Sequence, residues 1–271
     1  MQVRHIPWSV LRGVVLLLYL FILVPIVITV TVSFNAVNQS KFPPLGFSLR
    51  WWGDALSARW LQPLAFSIEL GLLVAVLAML LGMPMAFALV RHRFPGRDAL
   101  ATLALGPLAL PALVTGIGLL QFIQAAGLGF LFGFPTLLIG HLLICLPFAV
   151  RTTAISLRAM PPNLEQAALS LGATPSIVLR EVTLPLVKSG VFAGGVFAFI
   201  HSFTDYSISL FLSRPGTQPI TITILSFLEY GFAPTLAAVA ALTLVVPLVL
   251  IAVVQRVFRI GDFLYAENAR G

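Results

Sequence analysis

Long, strongly apolar runs recur along this chain, the first of them uncharged over residues 13–34. A helix needs about 20 such residues to cross the ~30 Å hydrocarbon layer of a bilayer. The runs are apolar on every side, which excludes the short alternating segments of a β-barrel. Only 9% of the residues are charged, against about 25% in a soluble domain. The expectation is an all-α membrane protein with about six transmembrane helices, near 13–34, 64–90, 100–125, 135–155, 186–212 and 233–257. Arg4 and Arg12 precede the first run, as in a signal peptide. That run exceeds the ~7–15 residues of a signal core and lacks a small-x-small cleavage site, so it reads as a retained span.

The basic side chains orient these spans. With the N-terminus inside, Arg91, Arg93 and Arg97 share one inner loop, and Arg151, Arg158, Arg180 and Lys188 surround the next. Adding Arg4, Arg12, Arg256, Arg259 and Arg270, twelve of the sixteen Lys and Arg fall inside, leaving Lys41, Arg50, Arg59 and Arg214 outside. The positive-inside rule predicts this arrangement, with both termini cytoplasmic. The net charge of +7 is therefore spread between spans, next to lipid, and gives no face for nucleic acid. Cys145 is alone in an apolar run, so no internal disulfide forms. No repeat or soluble domain interrupts the chain, and 1–271 reads as one transmembrane domain with its core at about 60–257.

Two outer segments carry turn signals. Pro43-Pro44 and Gly46 lie in 35–63 with Trp51, Trp52 and Trp60, rings suited to the headgroup level. Arg214-Pro215-Gly216 opens 213–232, followed by an apolar run at 220–228, too short to span and expected as a short helix at the outer face.

The inner loop at about 156–185 is different, because it is built to fold. Met160-Pro161-Pro162-Asn163 stops the preceding helix, and Asn163 with Gln166 three positions on forms a loose capping box. Leu164, Ala167, Ala168 and Leu171 share one face of the next helix, and Gly172 can take the left-handed conformation that ends it. Thr174-Pro175 then starts a second helix, with Thr as cap and Pro at its first position, and Leu184-Pro185 marks the bend into the fifth span. An Ala-rich face at a sharp turn outside the bilayer suits a groove on a partner, although an ordinary capped linker helix has the same pattern.

Glu165-Gln166-Ala167-Ala168, then Gly172, then Leu184-Pro185, resembles the EAA loop of permease subunits of bacterial ATP-binding-cassette importers. Gln166 stands where that family most often has its motif glutamate, with Glu165 just before it. Ser33-Phe34-Asn35, Phe47-Ser48-Leu49-Arg50-Trp51-Trp52, His201-Ser202-Phe203-Thr204-Asp205-Tyr206 and Ser213-Arg214-Pro215-Gly216 resemble the spermidine/putrescine branch. The resemblance implies a MetI-like arrangement of helices in a bacterial inner membrane and alternating access driven through this loop. It also implies two ATPase subunits, a second permease (heterodimer or homodimer) and an extracytoplasmic solute-binding protein. Polyamines, 2-aminoethylphosphonate, opine-like solutes and ferric iron are the substrates it leaves open. No G-x-x-x-x-G-K-[ST] loop is present, so nucleotide hydrolysis would belong to the partner and the chain would need no cofactor. Neither G-x-S-x-G nor H-E-x-x-H occurs, which argues against an intramembrane hydrolase.

Carboxylates within spans cost about 2.5–3.5 kcal/mol on insertion scales and so tend to face a cavity or a partner. Glu69 lies near the outer start of the second span, and Asp205 lies ~26 Å of helix beyond Lys188, also towards the outside. Glu69 and Asp205, with Tyr206, are therefore the candidate pathway residues for a cationic solute; interfacial or helix-bonded acids would look the same. The rival function is a proton-coupled secondary transporter using Glu69 and Asp205 with His201. His141, His201, Gln121 and Gln124 are expected to bond between helices, and Gly190-x-x-x-Gly194 to allow close packing. Pro84, Pro107, Pro111 and Pro147 can kink spans. No spacing suggests a metal site.

Overall fold

A helix that is apolar all round has no need of a protein interior if its solvent is hydrocarbon. Helix α1 (Trp8–Val32) is of this kind: every side chain from Trp8 to Val27 is exposed. The computed structural model describes residues 8–161, 163–229, 231 and 233–258. Arg4, Pro162, Arg259 and Arg270, which entered the topology and loop readings, lie outside them. The remaining α-helices are α2 (Arg50–Ala55), α3 (Ala58–Arg91), α4 (Arg97–Leu105), α5 (Ala112–Ala125), α6 (Phe134–Ala159), α7 (Asn163–Ser170), α8 (Pro175–Ile177), α9 (Leu184–Thr204), α10 (Ser207–Leu212), α11 (Ile220–Leu228) and α12 (Pro234–Phe258). Among the described residues five helices are long and apolar enough to cross a membrane, six if the bent pair α4 and α5 counts as one. No strand occurs among them, only an isolated bridge between Asn35 and Phe47.

The chain divides into two compact units, Met1–Gln62 with Ile224–Val246, and Pro63–Thr223 with Pro247–Gly271. In the first unit, the segment after α1 is organised by Asn35, which is fully buried. Its Oδ1 accepts from Leu45 N at 3.0 Å, and its Nδ2 donates to Gln39 O at 2.9 Å. Trp51 Nε1 donates to Asn35 O at 2.7 Å, and Phe34 stacks on both Phe47 and Trp52. Trp60 departs from the headgroup placement expected of it. It is only 2% exposed and packs on Phe227, ring centroids 4.6 Å apart. Placing it inside α3, which begins earlier than expected, turns its ring inwards.

In the second unit α6 packs along α9, and a core of Ala86, Leu89, Val150, Leu157, Met160 and Val187 joins α3, α6 and α9. Two expected spans are not continuous. The third splits at Pro111 into α4 and α5, which are bent by 112°. Pro107 and Pro111 lack the amide hydrogens that would carry a helix through, and the chain passes through a short 3-10 turn instead. The fifth ends at Thr204. Asp205 is extended and α10 starts anew behind it. Pro84 and Pro147 sit inside unbroken α3 and α6. Gln121 and Gln124 are exposed and bond no neighbouring helix among the described residues. The short helix expected at 220–228 is α11, with the same bounds.

Candidate functional site

The loop between α6 and α9 folds as helix, turn, helix. Helix α7 ends in a Schellman motif: Ala173 N donates to Ala168 O at 3.1 Å and Gly172 N to Leu169 O at 3.0 Å. The motif requires a left-handed residue, and Gly172 supplies φ +90. Thr174 is extended and Pro175 opens α8, as their types dictate. Helix α7 begins at Asn163 itself, one residue earlier than a cap there would place it.

Beyond α8 the backbone departs from the expected bend. Residues Val178–Thr183 wind as a π-helix and lead into α9 without a break, so Leu184 and Pro185 form its first turn. The wider i→i+5 register accommodates the donor that Pro185 lacks. One continuous element of thirty residues, Pro175–Thr204, thus joins the loop to the bundle.

Glu165 fastens α7 to both neighbours. Its Oε2 lies 3.1 Å from Arg91 Nε at the end of α3, and its Oε1 accepts from the Thr183 hydroxyl at 2.8 Å. Sequence reasoning missed both partners, although Arg91 was legible as a basic residue in the last turn of a span. With Glu165 and Ala168 turned partly inwards, Gln166, Ala167, Leu164, Leu169 and Leu171 face outwards. Leu171 is 90% exposed, and Ile177 beside the turn is exposed too. The expected face of Leu164, Ala167, Ala168 and Leu171 is therefore mostly free rather than packed on the bundle.

At the corner between α9 and α10 a second polar group is buried. Asp205 Oδ2 accepts from Ile208 N at 3.0 Å and Ser209 N at 3.2 Å, capping α10. His141 of α6 is fully buried and bridges the corner, with Nδ1 2.8 Å from Ser202 Oγ and Nε2 3.0 Å from Ser209 Oγ. Its Nε2 is also 3.7 Å from Asp205 Oδ2. Thr221 of α11 donates to Asp205 O at 2.9 Å, and Ser67 of α3 accepts from Ile220 N at 2.8 Å. Four helices and α11 thus meet through hydrogen bonds that a hydrocarbon surround strengthens. Glu69 and Tyr206, by contrast, are exposed, and Glu69 has no ion partner among the described residues. His201 lies against the Phe148 ring rather than in this network.

Comparison with known proteins agrees with this architecture. Residues 78–259 match the family described as binding-protein-dependent transport system inner membrane component. The chain is 32% identical over 251 residues to the Escherichia coli spermidine/putrescine transport system permease protein PotC, covering 91% of this chain and 93% of that protein. It is 31% identical over 248 residues to the E. coli putrescine transport system permease protein PotI, covering 88% and 86%. A bacterial ABC transporter involved in import of the acidic polysaccharide alginate shares its fold at TM-score 0.66 and 18% identity, over 93% of this chain and 95% of that one. With its apolar helices, and with the family match extending over more than half of its length, the chain belongs to the inner membrane components of binding-protein-dependent transport systems, as a multi-pass ABC importer permease.

Proposed function

We propose that this permease passes a small polyamine-class cation, delivered by an extracytoplasmic binding protein, by alternating access driven from partner ATPases. The observation that carries the reading is the loop: an apolar, exposed α7 and turn, tied by Glu165 to α3 and continuous with α9. A push on that surface reaches two long helices without a flexible joint. In this reading Gln166, Ala167 and Gly172 meet a groove on one of two ATPase subunits, and a second permease completes the pathway. Glu165 and Ala168 hold the helix to the bundle, and Leu184 and Pro185 pass its movement into α9. Glu69 and Tyr206 present themselves to the cation, while Asp205 fixes the corner behind them. The names of the polyamine relatives support the substrate class.

Proteoliposomes holding the full transporter should take up labelled spermidine only with ATP and binding protein. Uptake driven by a proton gradient without nucleotide would replace this reading with a secondary transporter. L171D should lower copurification of the ATPase on the order of tenfold with an unchanged melting temperature, the loss expected when a central apolar anchor is made charged. Unaltered copurification would remove the loop from the docking surface. The same position reports topology, because Cys145 is buried and gives no background. L171C should react with a membrane-impermeant maleimide only after the inner membrane is opened, and labelling of intact spheroplasts would reverse the orientation.

A further inference from the structure

A cavity of about 790 Å³ lies beside α4 and α6, with Arg97, Asp98, Arg151, Ile155 and Arg158 on its walls. We propose that it holds an anionic glycerophospholipid, its phosphate on the arginines and its acyl chains along the apolar floor. Arg97 is fixed as one wall, since its Nε and Nη2 donate to Leu89 O at 2.9 and 2.8 Å. Arg151 and Arg158 are two helical turns apart, about 10 Å, so both reach the groove from α6. Both are exposed, and among the described residues neither makes an ion pair or hydrogen bond. Asp98 is the single carboxylate facing three guanidiniums. An adjoining hollow of about 290 Å³ shares Arg97 and Asp98 and adds Arg93.

The floor decides the kind of anion. Leu89, Ala101, Leu105, Leu108 and Val150 line it, and a soluble anion has no use for them. Helix α4 also turns sharply from α5, by 112°, and carries Leu103 at 75% exposure. A short helix with an arginine at one end and exposed leucines along it suits the boundary between headgroups and acyl chains. Arg158 lies in the last turn of α6 and Arg91 in the last turn of α3, so the groove sits where two spans end, the level of the headgroups. Basic pockets between transmembrane helices at that level are suited to anionic headgroups. The assignment is independent of the transported solute.

The test uses the full-length protein in detergent, exchanged into equimolar phosphatidylglycerol and phosphatidylcholine, with retained lipid counted by native mass spectrometry. The wild type should retain phosphatidylglycerol preferentially, and R151Q/R158Q should lose that preference by about tenfold or more. R151K/R158K should keep part of it, and L108W, which fills the floor, should lower retention of the lipid with its charges intact. Equal retention of the two lipids by the wild type overturns the proposal, as does an unchanged preference in R151Q/R158Q. Displacement of the bound lipid by millimolar inorganic phosphate would assign the site to a free anion. Cross-linking of I155C to a co-expressed second permease would assign the groove to a subunit interface.

Discussion

G194V should insert into the membrane yet fail to survive extraction as a folded, monodisperse protein. A Cβ on Gly194 would lie 2.5 Å from Thr152 Oγ1 and 2.8 Å from Ala149 Cα across the α6–α9 contact. Neither neighbour can yield locally. Ala149 Cα is backbone, and the Thr152 hydroxyl is held by its bond to Phe148 O at 2.9 Å. At Gly190, one turn away, a Cβ would meet Ser156 Cβ and lie 2.9 Å from Thr152 O. Relief therefore requires the helices to part along their whole contact, which also loosens the core around Val150 and Val187. Overpacking ordinarily costs about 1–3 kcal/mol, and a backbone clash places this variant at or above the upper end. Monodispersity after a temperature series, read by fluorescence-detected size exclusion, checks it. A wild-type melting curve would mean that α6 and α9 do not rely on this contact. G118A is the matched control, because nothing lies within 4 Å of that position, and it should melt like the wild type or slightly higher.

Features governed by neighbouring residues were legible in the sequence. The 220–228 helix, the Gly172 turn, the Thr174-Pro175 start and the small-residue seam at Gly190 and Gly194 each depend on a few adjacent side chains with one dominant conformational preference. Breaks inside apolar runs were not. Hydropathy counts side chains and is blind to backbone hydrogen bonds, so 186–212 reads as one span although Asp205 stops α9 and caps α10. The spacing of Asp205 to Ile208, that of a cap to the third residue beyond it, was the signal available. Prolines at 107 and 111 gave notice of a kink, but only packing decides between a kink and a turn of 112°. Long-range partners were beyond reach for a plain reason. Glu165 with Arg91, His141 with Ser202 and Ser209, and Asn35 with Leu45 pair residues whose separation along the chain carries no periodic signature.

The two roles open to Asp205, charge in a pathway and cap at a corner, require opposite outcomes in D205N and D205A. Asparagine keeps one acceptor oxygen where Oδ2 now takes Ile208 N and Ser209 N, and it is among the best capping residues. Alanine leaves those donors without a partner in a site that is 8% exposed for the residue as a whole. A lost cap costs about 0.5–2 kcal/mol, and an orphaned buried donor about 1–3 kcal/mol. The cap and the donors are the same two bonds, so D205A should be destabilised by about 1–3 kcal/mol, and the effect should spread, because the same corner holds His141 through Ser209 and Thr221 through the Asp205 carbonyl. D205N should melt within a few degrees of the wild type and transport a labelled polyamine at a comparable rate. E69Q and Y206A, which alter exposed side chains, should do the reverse, changing uptake without moving the melting temperature. If D205N folds normally but loses transport, the carboxylate acts by its charge on the solute. The capping bonds would then be the means by which the protein holds that charge in place.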